Sequence, residues 1–346
     1  MKIKKAKTFA REWVEKKGST VSGFCGAFFH GSINWISEND NFPKNSDLDL
    51  MIVLDSPEVF DKKGKFRYKG ILLEVSYISI ENLKPPRSVL INPYLAGSFW
   101  RPNNIKDPSG YLTKLHEFIS KNFTKRKFVV KRCEFVENKI LNNYQIKKEK
   151  SLPDQVLSWV FPTGITAHLL LAAGFKNLTV RKRYVEVKKL LKNYGQQDFY
   201  SELLVILGCA HMNGEDVENH LEKLTEVFAV AREADNDSFP FSSDISSISR
   251  PIAIGGSREL IAKGYHREAV FWIVVTYSRC LKILLENASQ KMDKKFITGY
   301  QKLLSDLGIN CYTDLKKREK QLEKLLPQIW KTAESIIESN TKIHID

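Results

Sequence analysis

Apolar and polar positions follow two different patterns along the chain. Up to about residue 80, short apolar runs are separated by turn residues, as at 21–29, 48–54 and 71–78. Such runs are typical of strands. From about residue 111 onward, apolar positions mostly recur every three or four residues, which is typical of helices. We therefore expect an α+β fold, with a small mixed sheet and its covering helices first and an all-helical part second.

Within the first part, residues 4–17 predict an amphipathic helix that ends at Gly18. The runs 65–68 and 71–78 flank Lys69-Gly70 and predict a hairpin. Residues 92–102 are expected to form a turn-bearing connector. Helical stretches are expected at 128–140, 154–173, 181–191, 199–211, 217–232, 258–285, 295–307 and 313–337.

These patterns predict two domains, a catalytic one over residues 1–105 and a helical acceptor-binding one over residues 106–346. Residues 234–257 are rich in Asp, Ser, Pro and Gly and are expected to form a long loop. Whether that loop is a lid or simply irregular is left open.

Composition adds a basic excess, with 54 Lys and Arg against 40 Asp and Glu and a net charge of +14. Such an excess suits polyanionic partners such as nucleotides, RNA or acidic lipid, although basic residues dispersed over solvated helix faces are the commoner explanation. The five cysteines are scattered without a CxxC pair, which favours reduced thiols over a zinc or disulfide framework. The N-terminus does not resemble a secretory signal, and the longest apolar run, near 269–275, is too short for a membrane span. We expect a cytoplasmic protein that does not enter a membrane.

Two aspartates at the head of the apolar run 48–54 are the first candidate site residues. Asp47 and Asp49 are one residue apart, so on a strand their side chains project from the same face. Carboxylates held that close repel each other, and a cation with a preference for oxygen ligands, such as Mg²⁺, relieves the repulsion.

Glu74 lies in the centre of the apolar run 71–75. A carboxylate there is costly to bury without compensation, and a cation bound by Asp47 and Asp49 would supply it. The alternative is that Glu74 faces solvent on an amphipathic strand.

Gly31-Ser32 follows the first apolar strand. A glycine allows close approach of the backbone to a phosphate, and the serine hydroxyl adds a donor. Taken alone, the pair is more often a turn.

The order of these parts resembles the DNA polymerase beta-type nucleotidyltransferase superfamily over roughly residues 22–80. Its pattern of strand, Gly-Ser, spacer, two aspartates separated by an apolar residue, and a later acid matches Gly31-Ser32, Asp47-Leu48-Asp49 and Glu74. The helical second half, together with residues 105–112, is similar to bacterial small-molecule nucleotidyltransferases of the antibiotic type. Asp107 within that segment also suits a helix N-cap.

The resemblance implies transfer of a nucleoside monophosphate from ATP or another nucleoside triphosphate to a hydroxyl of a small acceptor. Asp47 and Asp49 would hold two Mg²⁺ ions, with Glu74 completing the coordination of one of them. Gly31 and Ser32 would hold the β and γ phosphates. The general base is open between Glu74 and an acid of the helical half, for which the candidates are Glu134, Glu137 and Asp154.

The sequence is compatible with three functions. A small hydroxylated molecule, such as an aminoglycoside or lincosamide antibiotic, is the first hypothesis. A template-independent enzyme acting on RNA ends would suit the basic excess, although no RRM or KH motif is present. A non-catalytic nucleotide-binding module is the third hypothesis, but such a module would not need three carboxylates.

Overall fold

The computed structural model describes residues 1–56, 64–143, 145–178, 181–235, 238–287 and 293–345. It confirms the α+β class, with a small mixed sheet near the N-terminus and a helical C-terminal part.

Within the described ranges, five strands form the sheet. In chain order they are β1 (Phe24–His30), β2 (Leu48–Leu54), β3 (Gly64–Tyr68), β4 (Ile71–Ser79) and β5 (Asn104–Lys106). Their spatial order is β3-β4-β2-β1-β5, and β2 pairs with β4 in parallel while the other pairs are antiparallel. The predicted hairpin is therefore β3-β4, while β5 was not predicted because it is only three residues long.

Strict alternation along the central strands gives the sheet two different faces. On β2, the even-numbered residues 48–54 are all buried leucine or isoleucine. They share a core with β4 residues and with the first helix, α1 (Ile3–Lys16), which contributes Ala6, Ala10 and Trp13. Burial of this one apolar face fixes the register, because a slip of one residue would turn every side chain to the other face. The odd-numbered residues of β2, Asp49 among them, consequently lie on the opposite face.

In the described part of the chain, twelve further α-helices follow the first four strands. They are α2 (Pro86–Ile91), α3 (Pro93–Phe99), α4 (Tyr111–Asn122), α5 (Arg126–Leu141), α6 (Leu152–Ala173), α7 (Arg183–Asn193), α8 (Phe199–Leu207), α9 (Gly214–Ala234), α10 (Gly256–Ala262), α11 (His266–Glu286), α12 (Lys294–Asp306) and α13 (Tyr312–Ser339).

The structure corrects two local predictions. The expected connector at 92–102 is largely helical, because Pro93 occupies the first turn of α3 and the Asn92 side chain accepts a hydrogen bond from the Tyr94 amide. The expected single helix over 258–285 is two helices, because Gly264, with φ of 78°, interrupts it between α10 and α11. The segment 234–257 contains a 3₁₀ turn (Ser242–Asp244) and a π-helical turn (Pro251–Gly255), while residues 236–237 lie outside the described residues.

The chain divides into two compact units. Unit 1 comprises Met1–Phe135, Ala172–Thr179 and Ile337–Asp346, and unit 2 comprises Val136–Leu171 and Val180–Ile336. The boundary predicted at 105/106 lies inside unit 1. The assignment of residues 106–346 to acceptor binding stays a prediction.

Among the described residues, α6 is the one helix long and apolar enough to cross a membrane by length and composition. However, 83% of its most apolar window is buried inside the protein, which is the pattern of a core helix in a soluble protein. The prediction of a cytoplasmic location stays a prediction.

Candidate metal centre

Parallel pairing of β2 with β4 places Asp49 directly beside Glu74. Asp47, two residues before Asp49, shares its face of the sheet. One carboxylate oxygen from each of these three residues lies within 4.8 Å of the other two. The three acids predicted from the sequence are thus brought together, and we call them the carboxylate triad.

Crowding and burial act together on the middle acid of the triad. Burial raises the pKa of the Asp49 carboxyl well above its ordinary value. The charges of Asp47 and Glu74 raise this pKa further, and a hydrogen bond with Glu74 adds to the effect, whereas the charge of Lys65 lowers it. The ionised form of Asp49 is therefore unfavourable unless a cation lies close to it.

Lys65, a residue that the sequence did not single out, also belongs to the site. Antiparallel pairing of β3 with β4 places it opposite Glu74. Its Nζ lies 3.1 Å from Glu74 Oε2 and 3.6 Å from Asp47 Oδ2. The pattern of residues 65–68 could have indicated this, because polar Lys65 and Arg67 alternate with aromatic residues and therefore share one face of the strand.

Gly31 is constrained by the triad itself. Its φ of 66° lies in the left-handed region, and a Cβ built on it would lie 2.3 Å from Asp49 Oδ2. No other residue type fits there without displacing the carboxylate. Because the glycine of the predicted Gly-Ser pair has no Cβ, the Asp49 carboxylate can occupy that space.

Two amide side chains hold the turn that carries Gly31 and Ser32. The carbonyl oxygen of Phe29 accepts hydrogen bonds from Asn34 Nδ2 at 2.8 Å and from buried Asn103 Nδ2 at 2.7 Å. Residues 31–34 form a single 3₁₀ turn. The Gly-Ser backbone is therefore fixed at the end of β1, although nothing here assigns a ligand to Ser32.

His30 is a further neighbour that the sequence left among packing or surface histidines. It pairs with Asp49 across β1 and β2. Its Nδ1 lies 2.8 Å from Ser98 Oγ. The sheet thus presents a row of His30, Asp49, Glu74 and Lys65 across four strands on one face.

The other candidate acids are placed differently. Asp107 accepts hydrogen bonds from the amides of Leu112 and Thr113 in the first turn of α4, although Gly110 and not Asp107 occupies the N-cap position. Asp154, in unit 2, pairs with Lys282 Nζ at 2.8 Å. Glu134 pairs with Lys131 on the surface. Glu137 lies on α5 outside the carboxylate triad, so none of the three acids of the helical half belongs to the triad.

The chemistry of the triad fits a hard divalent cation. It offers oxygen ligands only, as Mg²⁺ and Ca²⁺ prefer, and no thiolate or imidazole of the kind that softer metals favour. It is the one group of three or more acids, histidines or cysteines with this spacing in the described part of the chain. Asp47, Asp49 and Glu74 are therefore the residues that would hold such an ion.

No protein-family model and no curated protein matches this chain.

Proposed function

We propose that the protein is a Mg²⁺-dependent nucleotidyltransferase that moves a nucleoside monophosphate, with AMP from ATP as the first expectation, to a hydroxyl of a small acceptor. The observation that supports it most is the convergence of Asp47, Asp49 and Glu74 on one sheet face, behind a Gly-Ser turn. This is the order and placement that the polymerase beta-type superfamily would require. A cytoplasmic location and an antibiotic as acceptor belong to the same proposal.

In this reaction, the acceptor hydroxyl oxygen forms a bond to the α phosphorus. The bond from that phosphorus to the oxygen bridging the α and β phosphates breaks, and pyrophosphate leaves. Two bound Mg²⁺ ions would stabilise the attacking and the leaving oxygens. Asp47 and Asp49 would hold both ions and Glu74 one of them, so the three side chains also position the reacting groups.

Two steps remain for the chain's own groups. The Gly31 and Ser32 backbone and the Ser32 hydroxyl would bind the β and γ phosphates. Glu74, the acid that would complete the coordination of one ion, would take the acceptor hydroxyl proton or pass it to solvent.

The basic excess favours a second candidate, a template-independent nucleotidyltransferase that acts on RNA ends. Its affinity for RNA would fall steeply with salt, because phosphate contacts release counterions. The carboxylate triad would serve transfer to a small molecule and transfer to RNA equally well. The two candidate functions are therefore distinguished by identifying the acceptor.

The test is incubation of the full chain with labelled ATP, GTP, CTP or UTP, Mg²⁺, and parallel panels of hydroxylated antibiotics and RNA. Transfer of label to a small acceptor supports the first proposal, and label on RNA supports the second. Chelation by EDTA should abolish either transfer. Nucleotide binding without transfer on both panels would contradict catalysis and leave a binding module.

A further inference from the structure

Lys65 forms ion pairs with two members of the carboxylate triad, Asp47 and Glu74. We propose that it is a built-in counter-cation that competes with divalent ions for these two acids, so that the site loads fully only together with a polyphosphate ligand. The first half of this proposal needs only a metal site, while the second half rests on the proposed function.

The position of Lys65 is dictated by the sheet. It lies on the edge strand β3 and is paired with Glu74 by register, which directs its side chain to the triad face. Its side chain is 5% exposed, while those of Glu74 and Asp47 are 16% and 20% exposed. A lysine is rarely buried to this extent unless it is paired, so Lys65 differs from an ordinary surface lysine.

Lys69, at the turn of the same hairpin, provides the contrast. Its side chain is 45% exposed, and its Nζ lies 2.6 Å from Glu12 on the surface. Water and salt screen such a surface pair, which therefore contributes little to stability. The pairs made by Lys65 are shielded from solvent and are screened much less.

An ammonium at 3.1 and 3.6 Å from two ligand oxygens engages the electron pairs that a divalent ion would use. It also cancels one of the three formal negative charges of the ionised triad. Both effects lower the affinity of the bare site for a divalent cation. A bound triphosphate adds negative charge to the site and so raises its affinity for divalent cations. Binding of the metal and binding of the triphosphate are therefore coupled.

The test compares Lys65→Met with two controls. Lys65→Arg retains the charge, and Lys69→Met removes a charge from the surface of the same hairpin. Mn²⁺ binding to the full chain without nucleotide is measured by titration calorimetry and by electron paramagnetic resonance. We expect Lys65→Met to bind Mn²⁺ about tenfold more tightly than wild type. Both controls should retain wild-type affinity.

Thermal unfolding gives a second measurement that does not depend on turnover. In EDTA, Lys65→Met should unfold at a lower temperature than wild type, because Asp47 and Glu74 then lose their ion pairs with Lys65. Added Mn²⁺ should raise its unfolding temperature by more than it raises that of wild type. If Lys65→Met is unfolded in EDTA, Lys65→Gln is measured in the same way, since it retains a polar group at that position.

A non-hydrolysable ATP analogue tests the second half of the proposal. It should tighten Mn²⁺ binding to wild type, and it should do so by a smaller factor in Lys65→Met. Unchanged or weaker Mn²⁺ binding by Lys65→Met would overturn the proposal, because Lys65 would then be neutral to the metal or would help to bind it. Tighter binding by Lys65→Met in a protein that transfers no nucleotide would uphold the competition and reject the proposed function instead.

Discussion

Glu268 in unit 2 and Glu74 in unit 1 both sit where water has little access, but their neighbours differ. Glu268 lies in the first turn of α11 with its side chain 4% exposed. It accepts a hydrogen bond from Tyr200 Oη at 2.8 Å and pairs with Lys188 Nζ at 3.1 Å. A hydroxyl, an ammonium and the helix N-terminus thus stabilise a single negative charge.

Glu74 instead shares one lysine with Asp47 and stands beside Asp49. Three acids therefore lie close together around this lysine, whereas Glu268 is a single acid with a lysine and a tyrosine beside it. A carboxylate buried for structural reasons comes with enough donors to satisfy it. Three carboxylates crowded on one face, unlike the single acid at Glu268, suit the added cation that we propose for the triad, and four predictions test that distinction.

The largest effect is expected from Asp49→Asn, which removes the acid at the centre of the triad. We expect nucleotidyl transfer to fall on the order of 10³-fold or more, because ligand charge and geometry are lost together. Mn²⁺ binding should be lost as well, while the circular dichroism spectrum of the helical part is retained. Glu268→Gln is the matched control and should retain Mn²⁺ binding. Wild-type turnover by Asp49→Asn would reject the metal site.

Gly31→Ala comes next, because its new Cβ would overlap Asp49 Oδ2. We expect a loss of about 3 kcal/mol in the free energy of unfolding, from the left-handed backbone and the overlap combined. Gly70→Ala is the control, since Gly70 has φ of 81° and a Cβ added to it would meet no atom within 4 Å. It should lose only about 1 kcal/mol, for the backbone alone.

Urea titration measures the free energy of unfolding of both variants. Mn²⁺ titration measures whether Gly31→Ala also weakens metal binding. Equal losses in Gly31→Ala and Gly70→Ala would show that Gly31 serves the turn alone. In that case Asp49 would be free to move, and the fixed geometry argued for the triad would be wrong.

These contrasts also show which parts of the site the sequence could predict. Alternation of side chains in β2 is a local property, so the shared face of Asp47 and Asp49 follows from spacing. Glu74 was identified because a lone acid in an apolar run is costly. Lys65 was missed, although the two-residue turn predicted at Lys69-Gly70 fixes the register of the β3-β4 hairpin and thereby pairs residue 65 with residue 74.

The wrong local predictions have similar physical causes. Prolines and polar residues at 92–102 suggested turns, although Pro93 and Asn92 act there as helix-starting residues for α3. The periodic pattern at 258–285 hid a break at Gly264, because a helix can tolerate an isolated glycine and the break here depends on its positive φ. Period predicts that a helix exists more reliably than where it ends.

Glu268→Ala tests the other side of the comparison. It leaves the buried Tyr200 hydroxyl without its acceptor, so we expect a loss of about 2 kcal/mol in the free energy of unfolding. Mn²⁺ binding should not change. Glu202→Ala, at an exposed position of α8, is the control and should have little effect. If Glu268→Ala is as stable as Glu202→Ala, Glu268 is not held by its partners and the contrast with the triad fails.

The smallest effect concerns the pH dependence of the metal-free protein. The folded-state pKa of Asp49 is raised above its unfolded value by burial and by Asp47 and Glu74, and lowered in part by Lys65. Protonated Asp49 therefore favours folding, a contribution that is complete below the unfolded pKa, about 3.9, and is lost as the pH rises through the folded pKa. Asn at this position does not titrate.

In EDTA, then, the unfolding temperature of Asp49→Asn should exceed that of wild type by about 2 °C at pH 8, with a smaller difference at pH 5. Added Mn²⁺ should reverse the order, since only wild type retains the full set of ligands. Differential scanning calorimetry at both pH values, with and without Mn²⁺, measures all four differences. A wild-type protein that is more stable than Asp49→Asn in EDTA at pH 8 would mean that Lys65 already balances the triad, as Lys188 and Tyr200 balance Glu268.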